Sequence, residues 1–207
     1  MYARTTTVRG DPRAVDEGIA FVRDEVWTAV RDMDGAIGIS MLADRDAGRC
    51  IVTTAWSSQD AMHTTADAVR DIRRQAAEVL RADAVDVAEW EIAVMHRTHP
   101  AGDHACARVI WCETEPGQMD STTEAFRMSW VPRLDDLPGF CSVSLLTDRL
   151  TNSAVAAVTY ADRAALDRAG ERGAALREEF SQAMGVRITE VAAMDLPLAH
   201  LRVPELV

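Results

Sequence analysis

One phrase of the sequence returns after 104 residues. DLPGFCSVSLLTDR at 136–149 repeats, in altered spelling, DMDGAIGISMLADR at 32–45. Compared at this spacing, the 65 positions that begin at Tyr2 give twelve identities, and one of them pairs Arg4 with Arg108. A sequence that encodes one unit twice folds each copy in the same way, so the repeat predicts two similar halves.

The hydrophobic pattern tests the repeat more strongly than the identities do. Apolar residues recur at steps of three and four over 15–33, which is typical of one helix face, and 119–137 keeps that face with one polar exception. Each helix is followed by a glycine, an apolar run, a polar turn and a second apolar run that ends at Trp56 or Tyr160. This order predicts a β-hairpin in each half.

A second helix and a closing strand complete each half. The closing strands align at a spacing of 101, which predicts a second helix about three residues shorter in the second half. The order β-α-β-β-α-β is that of the ferredoxin-like unit, a four-stranded antiparallel sheet with both helices on one face. We therefore predict an α+β fold class, with tandem ferredoxin-like repeats whose antiparallel sheets pack as a pseudo-dimeric α+β barrel. The predicted domains are 1–96 for the first repeat, 97–103 for a linker and 104–207 for the second repeat.

Composition restricts the partners and the chemistry. The net charge of −11 disfavours a nucleic-acid or anionic-membrane surface. All 22 basic side chains are arginine, so no lysine is available to form a Schiff base. No apolar run is long enough to span a bilayer and the N-terminus has no apolar signal core, so we expect a cytoplasmic protein. The expected partner is a small-molecule substrate or ligand, without nucleic acid or membrane; we expect an intrachain pseudo-dimer and leave a further homodimer open.

Two groups of residues raise the question of a metal site. The four cysteines have neither CxxC spacing nor a dense framework, which favours free, buried thiols over zinc or disulfides. His96, His99 and His104 are spaced as HxxHx4H, but a linker with Pro100 and Gly102 would hold them poorly. We expect no metal.

The phrase PGF, followed by a strand, a hairpin, an aromatic residue and a second helix, resembles the antibiotic biosynthesis monooxygenase family of dimeric α+β barrels. LPGFCSVSLL in the second half and TTAWSSQDAM in the first half are the closest matches. The resemblance covers nearly the whole chain as two copies and implies a fused pseudo-dimer. It implies a monooxygenase without cofactors that acts on a phenolic, quinol or polyketide-like small molecule. The alternatives are a non-catalytic small-molecule-binding or interaction protein of the same fold, and a haem-binding or haem-degrading protein.

Three polar residues are candidates for the chemistry. A charge in the middle of a covered strand is costly unless it is paired or used, so Arg4 and Arg108 are either salt-bridged or hold an anionic substrate. His63 has a side chain suited to general-base catalysis near neutral pH, or it is a solvated residue at the edge of the second helix. With the resemblance, these features indicate His63 and Arg4 as catalytic residues and Arg108 as substrate-binding. Asp167 takes the place of His63 in the second half, so if only one half is active we expect it to be the first.

Aromatic residues are candidates for the walls of a substrate pocket. Trp27, Trp56 and Tyr160 would suit a polycyclic ligand, and the alternative for each is packing in the core. The resemblance also tests haem, because the haem-degrading members need an axial histidine on the second helix. Arg74 and Glu178 occupy that position here, which argues against haem degradation.

Overall fold

The computed structural model describes residues 1–201, 204 and 206. Its first half follows the predicted β-α-β-β-α-β order, with each helical segment divided in two. The elements are β1 (Tyr2–Arg9), α1 (Val15–Phe21), α2 (Trp27–Val30), β2 (Ala36–Asp44), β3 (Arg49–Trp56), α3 (Gln59–Thr64), α4 (Ala66–Val79) and β4 (Ala84–Arg97). A short 3-10 turn, Pro12–Ala14, precedes α1, and a π-helical turn, Val22–Val26, joins α1 to α2.

The second half repeats these elements at a spacing of 104 residues. They are β5 (Cys106–Glu113), α5 (Met119–Ala125), α6 (Val131–Asp135), β6 (Phe140–Asp148), β7 (Ser153–Tyr160), α7 (Arg163–Arg168), α8 (Gly170–Met184) and β8 (Arg187–Leu201). A π-helical turn, Phe126–Trp130, again joins the first two helices. The helices and strands of the two halves therefore recur in the same order at this spacing, although only twelve of the 65 compared positions are identical.

The predicted shortening of the second helix is wrong. α8 has 15 residues and α4 has 14. The last strands begin 103 residues apart, at Ala84 and Arg187, so the spacing changes there by one residue and not by three; the connection before them comprises 80–83 in the first half and 185–186 in the second. Gly185 has a φ of 63° and gives α8 a left-handed C-terminal residue, so a two-residue connection is sufficient there.

The chain divides into two compact units. Unit 1 comprises Met1–Trp90 and the part of β8 from Leu196, and unit 2 comprises Glu91–Asp195. The division falls inside β4, before the predicted linker at 97–103, because β4 and β8 are long strands that each contribute to both units.

The hydrogen-bonded strand order confirms the predicted fold class. It is β1-β3-β2-β8-β5-β7-β6-β4 and closes on itself, and the pairings with described registers are antiparallel. The structure is thus α+β, with tandem ferredoxin-like repeats and the closed strand order of the α+β barrel. No helix in the described part of the chain is long and apolar enough to cross a membrane.

The repeated phrase of the sequence contains a close contact that only glycine permits. Gly35 and Gly139 both have positive φ, 77° and 71°. A Cβ at either position would lie 2.5 Å from the Cβ of Ala61 or Ala165, another identical pair of the repeat. The chain thus turns into its second strand directly against the start of the following helix, which explains why both residues of the contact recur.

The repeated Asp-Arg pairs belong to the hairpin turns, as their position predicts. Asp44 accepts hydrogen bonds from two backbone N–H groups of its turn, and Asp148 accepts one from its own. Arg45 Nε lies 3.0 Å from Asp16 Oδ1, and the same pairing recurs at 3.0 Å in the second half. These residues fix the hairpins to the first helices and take no part in the cavities described below.

Candidate functional site

Unit 2 contains a cavity between its sheet and its helices. Its volume is about 780 Å³, open solvent included, and its wall is largely aliphatic and aromatic. Polar groups enter from Arg108, Tyr160, Arg177 and the thiol of Cys112. This combination of a large apolar wall and a few convergent polar groups is typical of a small-molecule site.

The sequence brings the cavity residues together through strand alternation and helix periodicity. Arg108 lies in the middle of β5 and points to the side that the helices cover. Gly173 and Arg177 are four residues apart on α8, so they share one helix face. Phe126 and Trp130, the first and last residues of the π-helical turn, both line the cavity. π-helical turns often occur at functional sites, and here the turn directs two aromatic residues to the same space.

The two arginines of unit 2 have no anionic partner. Within the described residues, neither Arg108 nor Arg177 makes a hydrogen bond or an ion pair. Burial, and then the nearby charge of Arg108, lower the pKa of Arg177. Burial raises the pKa of Tyr160 although both guanidinium groups oppose that rise. The charge of Glu178 partly opposes the lowering of the pKa of Arg177, but within the described residues it forms no ion pair with Arg177. Two cations in an apolar cavity are costly without a paired counter-charge, so the cavity is electrostatically suited to an anion.

Unit 1 holds the same pair of arginines in a smaller cavity. Arg4 and Arg73 correspond to Arg108 and Arg177 at the spacing of 104, and both line a space of about 480 Å³, open solvent included. Val69 occupies the position of Gly173 and also lines its cavity. A valine side chain in place of a glycine accounts for part of the smaller volume.

Arg4 has an internal counter-charge. Its Nε and Nη2 donate to Glu89 Oε1 at 3.1 and 2.7 Å, and Nη2 also donates to the Met62 carbonyl at 2.9 Å. The second carboxylate oxygen of Glu89 lies 2.9 Å from His63 Nε2. Arg4 is only 3% exposed, so Glu89 neutralises a charge that would otherwise be buried alone.

The residues predicted from the sequence are distributed between the two units. Arg108 and Tyr160 meet in the unit 2 cavity, and Arg4 lines the unit 1 cavity. His63 is exposed, and neither cavity includes it in its wall. Asp167, its counterpart, does not line the unit 2 cavity either.

The two predicted tryptophans lie in unit 1 but outside its cavity wall. Trp56 is fully buried, and its Nε1 donates to Thr54 Oγ1 at 3.1 Å. Trp27 stacks on His200 with ring centroids 4.9 Å apart. Trp56 therefore packs in the core, and Tyr160, at the same place in unit 2, is also buried in the core but lines the cavity.

Sequence reasoning missed Arg73 and Arg177. They are the one identity between α4 and α8 at the spacing of 104, and they lie beyond the 65 positions in which identities were counted. A comparison continued through the second helix would have found them. The π-helical turns, in contrast, leave no signal in the sequence pattern.

The linker histidines and the haem positions do not contribute to either cavity. His96 Nε2 lies 2.9 Å from Asp135 Oδ1, and His99 and His104 are exposed. Among the described residues no group of three or more histidine, cysteine, aspartate and glutamate side chains could hold a metal ion. Arg74 pairs with Glu78 on the exposed side of α4.

Glu89 should make the stability of the protein depend on acidic pH. Burial alone would raise the pKa of Glu89, but hydrogen bonds from Arg4 and His63 outweigh burial and lower it from the ordinary value of 4.5. A lowered folded-state pKa gives stability that is present above 4.5 and is lost as the pH falls toward the folded-state value. We expect the melting temperature of wild type to fall more steeply below pH 4.5 than that of Glu89→Gln.

The matched control for this pH profile is Asp86→Asn, which removes an exposed carboxylate from the same strand. Its profile should follow that of wild type. Parallel profiles for wild type and Glu89→Gln would show that the Arg4–Glu89 pair does not contribute to folding.

The comparisons with known sequences give close relatives. No family model matches the chain. The uncharacterized proteins Rv2558 and Rv2557 of Mycobacterium tuberculosis (strain ATCC 25618 / H37Rv) are each 42% identical to it, over 208 and 207 residues. The alignments cover 100% of this chain and 88% and 92% of those two proteins.

Solved structures with much lower sequence identity share the fold. A "putative monooxygenase" from Lactobacillus acidophilus NCFM has a TM-score of 0.71 at 14% identity, over 97% of this chain and 96% of that chain. An anthrone oxidase-like protein has a TM-score of 0.68 at 12% identity, over 100% and 94%. A ferredoxin fold protein related to antibiotic biosynthesis monooxygenases, from Listeria monocytogenes 4b F2365, has a TM-score of 0.54 at 5% identity, over 95% and 95%. The fold is therefore that of the antibiotic biosynthesis monooxygenase-like proteins.

Proposed function

We propose that this chain, which belongs to the same family as Rv2557 and Rv2558 of Mycobacterium tuberculosis, is a cofactor-independent monooxygenase acting on a phenolic, quinol or polyketide-like small molecule. The observation that carries the proposal is the pair Arg108 and Arg177, two cations without an anionic partner in a mostly apolar cavity. A ring system fits the apolar wall, and an ionised oxygen on it supplies the missing charge. The monooxygenase and anthrone oxidase names of proteins with the same fold support this class of reaction.

The arginine pair would promote the reaction by favouring the ionised substrate. Nearby positive charge lowers the pKa of a bound phenol or enol, and the resulting anion is electron-rich enough to react with oxygen. When a ring CH2 group becomes C=O, the substrate supplies all the electrons: one oxygen atom enters the product and the other leaves as water. No external reductant is needed for this balance.

The cavity itself offers no strong base. Among the described residues that line it, none is a carboxylate or a histidine. Burial raises the pKa of Tyr160, and it raises that of Cys112 to about 11. The substrate must therefore lose its proton to water, so we expect a substrate that is already acidic near neutral pH. The same observation favours the second candidate, a protein of this fold that binds the anion without transforming it.

Oxygen consumption separates the two candidates. Purified protein is given a panel of anthrones and quinols, and uptake is compared in wild type, Arg177→Met and Arg73→Met, the matched change in unit 1. Uptake that is lost in Arg177→Met and kept in Arg73→Met supports the monooxygenase. Binding without uptake supports the non-catalytic protein, and equal uptake in all three excludes unit 2 as the site. His63→Ala tests the role of general base that the sequence suggested for His63.

Gly173→Val should close the unit 2 cavity without unfolding the protein. A Cβ at Gly173 would lie 3.8 Å from the Tyr160 hydroxyl and 4.0 Å from Leu137 Cδ1, which is ordinary contact. Valine is the residue at the corresponding position of unit 1. Glycine inside a helix is unfavourable by up to about 1 kcal/mol relative to alanine, which is more than valine is. We expect at least a tenfold loss of affinity for a polycyclic anion and an unchanged or higher melting temperature, measured by titration calorimetry and thermal unfolding.

Ala175→Val is the control for this change, because it adds a valine side chain at an exposed position of α8 that does not line the cavity. It should leave ligand affinity as it is. Unchanged affinity in Gly173→Val would place the ligand elsewhere.

A further inference from the structure

The two units differ in the anionic partners of the same pair of arginines. In unit 2, Arg108 and Arg177 have no anionic partner within the described residues. In unit 1, the guanidinium of Arg4 is held by Glu89, whose carboxylate accepts from both Nε and Nη2. An anionic ligand would bind a guanidinium through the same two-nitrogen geometry.

The strand beside each arginine explains the difference. Glu89 is on β4, the neighbour of β1 in the strand order. In unit 2 the corresponding neighbour of β5 is β8, where Ala193 lies opposite Arg108; on the other neighbour, β7, the residue opposite Arg108 is Val158. An alanine methyl group cannot neutralise a cation, so the position next to Arg108 is left for an anion from outside.

Glu89 does not satisfy the unit 1 site completely. Arg4 Nη1 and Arg73 Nε are buried and have no hydrogen-bond partner among the described residues. Arg4 is 3% exposed and lines the cavity, so a buried cation with an unpartnered donor forms part of its wall. Buried donors are rarely left unpaired, which indicates that this cavity retains the features of an anion site.

We infer that unit 1 contains a second anion site, in which Glu89 occupies the position of the ligand's charged group. The chain therefore binds one aromatic anion, in unit 2, and binds another in unit 1 when Glu89 is removed. The count of one in wild type rests on the function proposed for unit 2, whereas the additional site in unit 1 does not. His63 acts here as a positioning residue, because it holds the second oxygen of Glu89.

The test is the number of 1-naphthoate molecules bound per chain, measured by titration calorimetry on the full-length protein. We expect one in wild type and two in Glu89→Ala, and again one in Arg4→Met/Glu89→Ala. Asp86→Asn, which removes a carboxylate of β4 outside the cavity, should stay at one. 1-Naphthamide, a neutral molecule of the same shape, should not show the second site.

The outcomes separate this inference from the function proposed for unit 2. A folded Glu89→Ala that binds no more 1-naphthoate than wild type overturns the inference, as does a second site that persists when Arg4 is also replaced. Absence of binding in wild type, or binding that Arg177→Met leaves intact, overturns the proposal for unit 2 instead, and the gain in Glu89→Ala still decides the inference. Glu89→Ser, which also removes the carboxylate and vacates its place but leaves a hydroxyl on the strand, gives the same count if Glu89→Ala does not fold.

Discussion

Arg177→Met is expected to weaken the binding of 1-naphthoate by roughly 10- to 150-fold. A hydrogen bond to a charged group contributes about 1.5–3 kcal/mol, and every 1.4 kcal/mol is a factor of about ten in affinity. Arg177 has no other partner among the described residues, so its full interaction is available to the ligand. Methionine keeps the apolar part of the side chain, so the loss reports on the charge. Titration calorimetry at constant salt measures it.

Two controls restrict the interpretation of this loss. Binding of the neutral 1-naphthamide should be nearly equal in wild type and Arg177→Met, because only the charged interaction is removed. Arg73→Met, the corresponding change in unit 1, should bind 1-naphthoate with the same affinity as wild type. The melting temperature of ligand-free Arg177→Met should not fall, since the change removes one of two like charges from an apolar cavity. Equal affinity of both variants for the anion would remove the basis of the proposed site.

Glu89→Ala is expected to lower the free energy of unfolding by about 3 kcal/mol, the lower end of the range for breaking a buried ion pair, because only the Arg4 side of this pair is buried. The pair is asymmetric: the Arg4 side chain is 3% exposed and that of Glu89 is 40% exposed. Removal of Glu89 leaves a buried cation, whereas removal of Arg4 leaves a carboxylate that water can reach. Arg4→Met should therefore cost clearly less than Glu89→Ala, although both changes break the ion pair; Arg4→Met also removes the bond to the Met62 carbonyl, and Glu89→Ala also removes the contact with His63.

Urea denaturation of wild type, Glu89→Ala and Arg4→Met gives the free energy of unfolding of each protein and therefore measures this difference directly. Asp86→Ala is the control, because the Arg9–Asp86 pair is exposed on both sides and such pairs contribute about 0–1 kcal/mol. A larger cost for Arg4→Met than for Glu89→Ala would show that Glu89, rather than Arg4, depends on the pair. 1-Naphthoate should restore part of the stability of Glu89→Ala, because a ligand that binds the folded state alone stabilises it.

The sequence predicted the fold well because burial patterns are local. A helix needs one apolar face and a hairpin needs a permissive turn, and both features recur at the spacing of 104 even where identities are lost. The predicted length of the second helix is wrong for a physical reason. A shift in strand alignment does not show whether a helix or a connection has changed its length. Gly185 marked the connection, which is two residues shorter in the second half.

The candidate site was only partly accessible from the sequence. Arg4 and Arg108 stand out because charges in the middle of covered strands need a partner. Which of them has one depends on the register of the strand alongside, and Glu89 and Ala193 are far from them in sequence. The sequence indicates a base at His63 because it gives the position of His63 on the helix but does not give its contact with Glu89.

A crystal structure of the protein with 1-naphthoate at a saturating concentration tests both anion sites most directly. We expect the carboxylate in unit 2, in hydrogen-bond contact with Arg108 and Arg177, and the rings against Phe126, Trp130 and Phe180. Glu89 should remain on Arg4, with no ligand in unit 1. A saturated protein with the carboxylate bound away from both arginines, or with the ligand in unit 1 beside an intact Arg4–Glu89 pair, would contradict this expectation.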